Sequence, residues 1–487
     1  MNTKNTISFL LNGEPVSINF NEQKIKPSTT VLNWLRNNVH HTEVKEGCAE
    51  GDCGACTVVV AEPDESRQKL IYKAINSCLL FLPAIDGKLL ITSRGLAPET
   101  DNILLLHPVQ KAIVREHATQ CGFCTPGFVM SLFALYHKND KTNDTEINNA
   151  FAGNLCRCTG YDSIRKAAKV ALDDRQPDRF DEMEANFIEM LLEMQPQVMF
   201  DSNCLHQRYI RPTNLTETLH ARAAHPEALI VNGSTDTALQ QSKHFKHIPF
   251  ILDISGIDEL KQFVCNGFQI EAGSGLSLES LRLLVEDSFP ALNNILSVFA
   301  SRQIRHVATL GGNLGSASPI GDTTPLLLAC DAKVKLVSVR GSRTLPVKNF
   351  ITGYRQTELQ KDELIENLII PLPAPDEKIK MYKVSKRHDM DISTVSAAFR
   401  LKTGSENSIE QFTVYYGGMA ATTIEAKACK AFLIGKKWEQ SIVDQAMEML
   451  KIEFTPLSDA RSGADFRNLA AANLLQQFFD DTQSHHS

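Results

Sequence analysis

The sequence lacks the features that would assign it to a membrane or to nucleic acid. No apolar run approaches the roughly 18–20 residues that a membrane-spanning helix needs. The first residues also contain no apolar segment typical of a signal peptide. Positive charge is not in excess, because 50 Lys and Arg stand against 57 Asp and Glu and give a net charge of −7. Such a chain has no field to attract DNA, RNA or an anionic lipid surface. We therefore expect a cytoplasmic protein with no nucleic-acid or membrane partner.

Internal repeats and low-complexity tracts are also missing, and the 487 residues suggest about three domains of roughly 150 residues each. The cysteines are the informative count. Of twelve, eight lie between residues 48 and 158. Clustered cysteines in a reducing cytoplasm bind metal more often than they form disulfides. The scattered remainder are predicted to be buried core residues: Cys204, Cys265, Cys330 and Cys429.

The first 96 residues predict a small β-grasp domain. Alternating apolar residues flank Asn12-Gly13, a strong hairpin signal. A capped amphipathic helix over residues 29–36 and a Val-rich strand over residues 57–61 follow.

Residues 97–172 have a helical period. Pro108 and Pro126 can each open a helix, Asp144 or Thr145 can cap a third, and Asp162 can cap a fourth. We predict an all-helical domain here.

The remainder divides into a connector and two further regions. Residues 173–205 carry many acidic residues and are interpreted mainly as a connector, with an amphipathic helix as the alternative. An α/β pattern covers residues 206–376, and an α+β pattern closes the chain over residues 377–487.

The first metal-binding motif has the spacing C-x4-C-x2-C followed by a distant fourth cysteine. Its members are Cys48, Cys53, Cys56 and Cys78. This is the plant-type ferredoxin spacing for a [2Fe–2S] cluster. Gly47, Gly51 and Gly54 permit positive φ and leave room for backbone N–H groups to face the sulfurs. The alternative, a structural zinc ion, prefers paired C-x2-C motifs.

The second motif has the spacing C-x2-C and then C-x-C. Its members are Cys121, Cys124, Cys156 and Cys158. The first two stand at the start of the helix opened by Pro126, where the helix N-terminus favours a thiolate. The last two need a loop, which Gly153 and Gly160 bracket. Alone, the motif is also compatible with zinc, but beside a ferredoxin motif a second redox cluster is favoured.

Two further stretches could bind a phosphate. Residues 229–236 form a strand followed by a polar, Gly-containing turn, and residues 309–322 hold four glycines in fourteen residues. Neither matches G-x-G-x-x-G, so a Rossmann fold is not supported. From the residues alone, phosphate binding and ordinary turns both remain open.

The cysteine motifs together resemble those of the molybdenum hydroxylases, the family of xanthine dehydrogenases and aldehyde oxidases. Gln120-Cys-Gly-Phe-Cys-Thr-Pro-Gly127 and Gly153-Asn-Leu-Cys-Arg-Cys-Thr-Gly-Tyr161 match that family closely. The first loop departs from it, since Ala49 and Asp52 stand where the family commonly has Gly. No cluster ligand is lost.

The resemblance implies a multidomain α+β protein. It implies a β-grasp [2Fe–2S] domain (1–96), a four-helix [2Fe–2S] domain (97–172), a linker (173–205), a vanillyl-alcohol-oxidase-like (PCMH-type) FAD domain (206–376) and a CO-dehydrogenase-flavoprotein-like C-terminal domain (377–487). It implies FAD contacts at Leu229, Ile230, Val231, Asn232, Gly233, Ser234, Thr235, Asp236, Phe299, Thr309, Asn313, Asp322, Ile365 and Lys383.

The resemblance also implies a function. We expect an electron-transfer subunit of a xanthine dehydrogenase, which passes electrons from a molybdopterin-binding large subunit through two [2Fe–2S] clusters to FAD and NAD⁺. The reaction would belong to purine catabolism, from hypoxanthine and xanthine to urate, in a heterotetramer of two small and two large subunits. No side chain of this chain is expected to be an acid or base on the purine. The alternatives are a hydroxylase for aldehydes, N-heterocycles or CO, and a free-standing electron carrier or assembly factor.

Overall fold

A computed structural model describes residues 3–98, 102–138 and 143–483. The chain forms two compact units. Unit 1 comprises Met1–Ala221, Glu227–Ile257 and Ser301–Ala308, and unit 2 comprises Arg222–Pro226, Asp258–Ala300 and Thr309–Ser487. Among the described helices, none has the length and apolar character needed to cross a membrane.

The strands, in chain order, are β1 Thr3–Lys4, β2 Thr6–Leu11, β3 Glu14–Asn19, β4 Thr57–Pro63, β5 Leu70–Asn76, β6 Leu89–Ile91, β7 Met199–Cys204, β8 Gln207–Arg211, β9 Leu229–Val231, β10 Phe250–Asp253, β11 Phe263–Cys265, β12 Gln269–Gly273, β13 Lys333–Ser338, β14 Gly341–Pro346, β15 Ile351–Gly353, β16 Gln356–Thr357, β17 Leu364–Pro371, β18 Glu377–Val384, β19 Val395–Thr403, β20 Ile409–Gly417 and β21 Ile424–Glu425.

The α-helices are α1 Val31–Asn37, α2 Pro108–Arg115, α3 Thr125–Tyr136, α4 Asp144–Phe151, α5 Asp162–Asp173, α6 Arg179–Glu182, α7 Glu184–Glu193, α8 Leu215–Ala224, α9 Thr237–Ser242, α10 Leu278–Leu284, α11 Pro290–Ser297, α12 Arg302–Arg305, α13 Leu310–Gly315, α14 Thr324–Ala329, α15 Val347–Phe350, α16 Lys427–Leu433, α17 Gln440–Glu453 and α18 Ala464–Thr482. Short 3₁₀ turns occupy Leu82–Ile85, Ser93–Leu96, Ile103–Leu105, Asp258–Lys261 and Ser405–Asn407.

The N-terminal sheet of unit 1 has the order β3-β2-β6-β4-β5, and it confirms the predicted β-grasp domain. β2 and β3 pair as a hairpin around Asn12 and Gly13, whose φ values of 56° and 97° provide the left-handed turn that this hairpin requires. Helix α1 packs on this sheet through Leu32 and Leu35, which are buried. Its N-cap is Thr30, whose side chain accepts the Asn33 N–H.

Helices α2 to α5 form the predicted helical domain of unit 1. Two helix starts differ from the prediction. The cap of α4 is Asn143, whose side chain accepts the Glu146 N–H at 2.9 Å, so neither Asp144 nor Thr145 is the cap. Asp162 is the first residue of α5 rather than its cap. A helix start lets several neighbouring polar residues compete for the same backbone donors, so sequence fixes the cap only to within a residue or two.

The connector has more structure than the main prediction gave it. It contains α6, α7 and all of β7. Phe180, Phe187 and Leu191 are buried in the same hydrophobic core as Phe133 of α3. The alternative, an amphipathic helix, is therefore correct for residues 184–193, because the apolar side chains recur at helical spacing and have a core to enter.

A second sheet of unit 1 has the order β1-β7-β8-β10-β9. β1 runs parallel to β7, with Thr3 opposite Met199, so the start of the chain joins strands from about two hundred residues later. Phe200 and Tyr209 of this sheet belong to the same hydrophobic core as Phe20 and Phe81 of the β-grasp domain. This shared core gives the loop after β9 a fixed position in unit 1.

Unit 2 contains two larger sheets. Strands β11-β12-β17-β13-β14 form one, and the antiparallel strands β18-β19-β20-β21 form the other. Helices α16 to α18 cover the second sheet, where Phe399 of β19 stacks on Phe478 of α18 with ring centroids 4.9 Å apart. This matches the α+β pattern expected at the end of the chain.

Candidate metal centres and cofactor loops

The ferredoxin-type motif brings its four thiols together as two close pairs. Cys48 and Cys53 are hydrogen-bonded through their side chains, and so are Cys56 and Cys78. The Cys48 Sγ also accepts backbone N–H groups from Cys53 at 3.3 Å and from Glu50 at 3.5 Å. Backbone donors of this kind stabilise negative charge on sulfur.

Within each pair, one thiol holds its proton and the other releases it. The Cys53 thiol lowers the pKa of Cys48 to about 5, while its own pKa is raised by the hydrogen bond to Cys48. In the same way Cys78 lowers the pKa of Cys56, and Cys56 raises that of Cys78. Metal binding to both sulfurs therefore releases the proton that each pair shares.

Glycines make this loop possible for two different reasons. Gly51 and Gly54 have φ values of 79° and 67°, as predicted. Gly47 does not have positive φ, which corrects the prediction. A Cβ there would lie 2.8 Å from the Cys53 Sγ, so Gly47 provides room for the sulfur. Ala49 has a φ of 55°, so this departure from the family pattern falls on a left-handed position.

The second motif also forms two pairs. The Sγ atoms of Cys121 and Cys158 are 3.7 Å apart, and Cys124 and Cys156 are hydrogen-bonded through their side chains. Thr159 donates its N–H and its hydroxyl to the Cys156 Sγ at 3.4 and 3.1 Å. Burial raises the pKa of Cys156, but these hydrogen bonds outweigh it and hold the pKa below its usual value. Burial raises the pKa of Cys124 to about 12.

Two pairs of thiols suit a cluster of two irons, each of which takes two thiolates. A tetrahedral zinc ion with Zn–S distances of about 2.3 Å needs all four sulfurs within about 3.8 Å of one another. Among the described residues, the one grouping of three or more ligand atoms within 4.8 Å of each other is His107, His137 and Asp178. No three of the eight cysteines converge in this way. The thiol arrangement therefore fits [2Fe–2S] clusters better than zinc.

The grouping of His107, His137 and Asp178 is a hydrogen-bond network. The Nδ1 of His107 accepts the Val109 N–H at 3.2 Å, so its Nε2 carries a proton and donates it to Asp178 at 2.5 Å. His137 Nε2 lies 3.0 Å from the same carboxylate oxygen. Burial alone would raise the pKa of Asp178, but the two histidines hold it well below its usual range. Because Nδ1 already accepts the Val109 N–H, a metal ion on Nε2 would leave neither ring nitrogen of His107 with a proton. The network therefore anchors α6 to α2 and α3 instead.

The first predicted FAD loop lies in unit 1, between β9 and α9. Its residues are Leu229, Ile230, Val231, Asn232, Gly233, Ser234, Thr235 and Asp236. A Cβ on Gly233 would lie 1.7 Å from the Val307 carbonyl oxygen, so only glycine fits there. Ser234 has a φ of 55°, and its hydroxyl donates to the carbonyl of Leu79, the residue after Cys78. The loop is thus joined directly to the ferredoxin-type cysteine region.

Three of the predicted FAD residues converge in unit 2. Lys383 Nζ lies 2.7 Å from the carboxylate of Asp322, and both side chains are buried. Asn313 Oδ1 accepts the Thr323 hydroxyl at 2.6 Å, which ties it to the residue after Asp322. Lys383 also donates to the carbonyl of Val298 at 3.1 Å, the residue before the predicted Phe299.

The other predicted residues of unit 2 have smaller local roles. Thr309 caps α13 by accepting the Gly312 N–H at 3.1 Å. A Cβ on Gly315 of α13 would lie 3.4 Å from the Cδ1 of Ile365, so these two residues are neighbours.

The sequence analysis did not identify Ser393, which is buried and donates a hydrogen bond to Asp322 at 2.5 Å. It lies in a loop without a motif, so no local signal identifies it.

Of the four scattered cysteines, two are buried and two are not. Cys330 and Cys429 are buried, as predicted. Cys204 is partly exposed and Cys265 is exposed, so the prediction is wrong for these two. Both lie at the ends of strands, β7 and β11, where a side chain is not enclosed by neighbouring strands.

Four family models match successive parts of the chain. These are the 2Fe-2S iron-sulfur cluster binding domain over residues 11–82, the [2Fe-2S] binding domain over residues 92–169, the FAD binding domain in molybdopterin dehydrogenase over residues 201–373, and the CO dehydrogenase flavoprotein C-terminal domain over residues 380–482. The two iron–sulfur domains and the FAD-binding domain predicted from the sequence are therefore confirmed.

Known relatives align with nearly the whole chain. A xanthine dehydrogenase of Emericella nidulans is 31% identical over 98% of this chain and 39% of that protein. A xanthine dehydrogenase of Oryza sativa subsp. japonica is 30% identical over 92% of this chain and 38% of that protein. The chain thus spans about two fifths of the length of these curated relatives.

Solved structures share the fold of part of the chain. The quinoline 2-oxidoreductase from Pseudomonas putida 86 superposes with a TM-score of 0.52 at 22% identity, and the match covers 56% of this chain and 94% of that one. At this identity the likeness shows the fold alone.

Proposed function

Because the chain belongs to the molybdenum hydroxylase family and has that family's iron–sulfur and flavin domains, we propose that it is the electron-transfer subunit of a xanthine dehydrogenase. Electrons would come from a molybdenum centre on a partner, pass two [2Fe–2S] clusters and FAD, and reach NAD⁺. The observation that carries the proposal is the pairing of eight thiols at two sites within one unit. Cluster ligands would be Cys48, Cys53, Cys56, Cys78, Cys121, Cys124, Cys156 and Cys158.

The bound cofactors would supply the redox chemistry, with one-electron transfer at the clusters and exchange between one- and two-electron steps at the flavin. The protein holds and separates them. Hydrogen bonds lower the pKa of Cys48 to about 5 and hold the pKa of Cys156 below its usual value, which favours the thiolate forms that bind iron. Gly47 leaves room for the Cys53 sulfur, and Gly54 and Gly233 leave room for backbone carbonyl oxygens.

The exposure of the cysteines supports the proposed order of the cofactors. Cys121 and Cys158 are exposed, so the helical-domain cluster would be the one nearest a partner. Cys56 and Cys78 are buried, which suits an internal relay. The Ser234–Leu79 hydrogen bond then favours transfer from this relay to a flavin held by the loop after β9.

FAD would be bound by the residues that the resemblance implies, and in unit 2 these include the buried Asp322–Lys383 pair. A carboxylate held by a lysine and by Ser393 is preorganised to accept a hydrogen bond from a ligand. Replacing Asp322 by Asn should weaken FAD binding by about 1.5–3 kcal/mol, or roughly 10–100-fold. Asp331→Asn is the control, because its side chain is exposed.

The partner would be a molybdopterin-binding large subunit. Large apolar side chains are exposed beside the helical-domain cysteines, at Phe123, Leu155 and Tyr161. Exposed apolar residues around a redox site favour a docking surface, since burial on a partner also excludes water from the site. We propose that this surface docks on the large subunit.

Xanthine is the favoured substrate because relatives that align with nearly the whole chain are xanthine dehydrogenases. The chain contains no predicted acid or base for the purine, so alone it should oxidise NADH with a dye but leave xanthine unchanged. Adding the molybdenum subunit should restore xanthine-dependent NAD⁺ reduction.

The decisive variant is Cys124→Ala in the complex. It should abolish xanthine-to-NAD⁺ turnover and spare NADH-to-dye activity, because the break lies before the flavin. Cys265→Ala is the matched control, since this cysteine is exposed but outside both motifs. Xanthine oxidation by the isolated chain, or NAD⁺ reduction by the Cys124 variant, would refute the electron path. Activity of the wild-type complex with an aldehyde or another N-heterocycle, and none with xanthine, would assign a different substrate.

A further inference from the structure

The two cysteine loops touch each other inside unit 1. The carbonyl oxygen of Cys53 accepts the N–H of Leu155 at 3.0 Å. Leu155 is the residue before Cys156, so one backbone hydrogen bond and one intervening residue join ligand residues of the two sites. A second contact lies beside it, where Asn154 Nδ2 donates to the carbonyl of Gly54 at 3.1 Å.

Two glycines allow this approach of one backbone to another. A Cβ on Gly54 would lie 2.1 Å from the Gly153 carbonyl oxygen. A Cβ on Gly127 would lie 2.3 Å from the Gly54 carbonyl oxygen. Real Cβ atoms do not come this close to an oxygen, so the contact depends on residues without side chains.

A buried polar network holds the contact. Asn154 Oδ1 accepts the Ser131 hydroxyl at 2.6 Å and the amide of Gln303 at 2.9 Å. Gln303 also donates to the Ser131 hydroxyl at 3.0 Å. Asn154 Nδ2 reaches Thr57 Oγ1 at 3.3 Å in the other direction. Every side chain of this network is buried, and Gln303 is 0% exposed.

Gln303 belongs to a short segment, residues 301–308, that contacts both iron–sulfur domains. Arg302 pairs with Glu146 of α4 at 3.1 Å. His306 Nδ1 lies 2.8 Å from the carbonyl of Ala74 in β5. The segment comes between the predicted FAD residues Phe299 and Thr309 in the sequence. The same stretch of chain therefore leads from predicted flavin contacts to the junction of the two cysteine loops.

We propose that Gln303 and Asn154 are positioning residues for electron transfer between the two cluster sites. They hold the Cys53 loop against the Cys156 loop, so that the Cys53–Leu155 hydrogen bond provides the shortest bonded route between them. The proposal rests on the proposed function, since it requires both sites to hold clusters.

Hydrogen bonds suit this role better than apolar packing. Buried amides are costly unless they are paired, so the hydrogen bonds of the Asn154 amide and of the Gln303 Nε2 favour one arrangement and resist sliding of one loop over the other. The buried Gln303 Oε1 has no hydrogen-bond partner. An apolar contact of the same size would tolerate small shifts. Misplacement of reacting groups by about 1 Å can cost roughly 100-fold in rate.

The test uses the full-length chain loaded with iron, sulfide and FAD. Gln303→Met keeps the side-chain length and removes its hydrogen bonds, and Asn154→Ala removes the bond to Gly54. Gln207→Met is the matched control, because Gln207 is 0% exposed and bonded on both sides, to Ser28 and Ile248, but does not contact this junction. Iron and sulfide content, the magnetic interaction between reduced clusters in electron paramagnetic resonance, and the rate of electron exchange between clusters are measured.

We expect Gln303→Met and Asn154→Ala to retain about four irons per chain, to lose the magnetic splitting between clusters, and to exchange electrons at least about tenfold more slowly. Gln207→Met should behave as the wild type in all three measurements. The double variant should be no slower than the worse single variant, because both belong to one network.

Unchanged splitting and exchange rate in Gln303→Met and Asn154→Ala, with both clusters present, would overturn the proposal. If Gln303→Met does not fold, Gln303→Glu is used instead, because it has the same shape and lacks the amide donors. The magnetic splitting and the electron-exchange rate of that variant then decide the question. A wild-type chain that binds zinc instead of iron would refute the proposed function itself, which iron and sulfide analysis reveals before any variant is measured.

Discussion

The two cysteine sites have the same paired arrangement of thiols but differ in exposure. Cys56 and Cys78 of the ferredoxin-type site are each only 3% exposed, whereas Cys121 and Cys158 of the helical site are exposed. A loop wound through a sheet domain encloses the first site, and the second lies at the N-terminus of α3 and in the loop before α5. The same thiol arrangement therefore occurs in an enclosed and in an open site, and the open site is the one that could reach a partner.

The loop of the ferredoxin-type site is also more closely packed than the loops of the helical site. A Cβ on Gly51 would contact Leu79 at 2.5 Å and Ile304 at 2.9 Å, so the first loop is packed on both sides. A Cβ on Gly122 or Gly160, in the second motif, would meet nothing within 4 Å. The first loop is thus constrained by tertiary packing and the second mainly by its own turns.

The largest expected effect is the loss of one cluster while the other is retained. Cys78→Ala should remove the enclosed cluster and leave the open one, and Cys158→Ala should do the reverse. Each variant should retain about two of four irons per chain, measured with acid-labile sulfide. Loss of all iron in either variant would show that the sites depend on each other. Cys330→Ala, a buried cysteine outside both sites, should keep all iron.

The second largest effect is expected from glycine substitutions, which should destabilise the enclosed loop more than the open one. Gly54→Ala faces a Cβ contact of 2.1 Å and a φ of 67°, so it should lower the free energy of unfolding by about 2–4 kcal/mol. Gly160→Ala has a φ of 69° and open space around it, so backbone strain alone should cost about 1–2 kcal/mol. Denaturant unfolding of the two variants measures the difference. Equal losses would contradict the difference in packing.

The hydrogen-bond network around Asp178 should make the helical domain sensitive to acid. Its pKa is lowered in the folded state, so its stabilisation is fully present above its unfolded value of about 3.9 and is lost as the pH falls further. Asp178→Asn should cost about 1–3 kcal/mol at pH 7 and flatten the loss of stability below about pH 4. Thermal unfolding from pH 3 to pH 7 checks both points. Asp173→Asn, on an exposed helix end, should change neither.

The smallest expected effect is a gain in stability when Ala49 of the enclosed loop is replaced by glycine. Ala49 has a φ of 55°, which costs a residue with a Cβ about 1–2 kcal/mol relative to glycine. Ala49→Gly should therefore raise stability by about 1 kcal/mol, seen as slower loss of the enclosed cluster to a chelator. Ala61→Gly, in strand β4, should lower stability instead. A destabilised Ala49→Gly variant would mean that unfolded-chain entropy outweighs the relief of strain.

Much of the fold and part of the site could be predicted from the sequence. The Asn12-Gly13 hairpin, the capped helix predicted over residues 29–36 and the helix at Pro126 depend on neighbouring residues, and all three are present. The exact caps of α4 and α5, the packing of Phe187 and the role of Ser393 were not predicted. Those depend on competition between adjacent donors or on partners far away in the chain.

The sequence by itself determined which residues could hold metal, because ligand type and short spacings such as C-x2-C are local properties. Only the tertiary structure decided how the thiols pair, since Cys56 meets Cys78 across 22 residues and Cys121 meets Cys158 across 37. It also decided which site is enclosed and that Gln303 lies between the two cysteine loops. Burial and contact between distant segments depend on how whole elements pack, and no short pattern of residues records that.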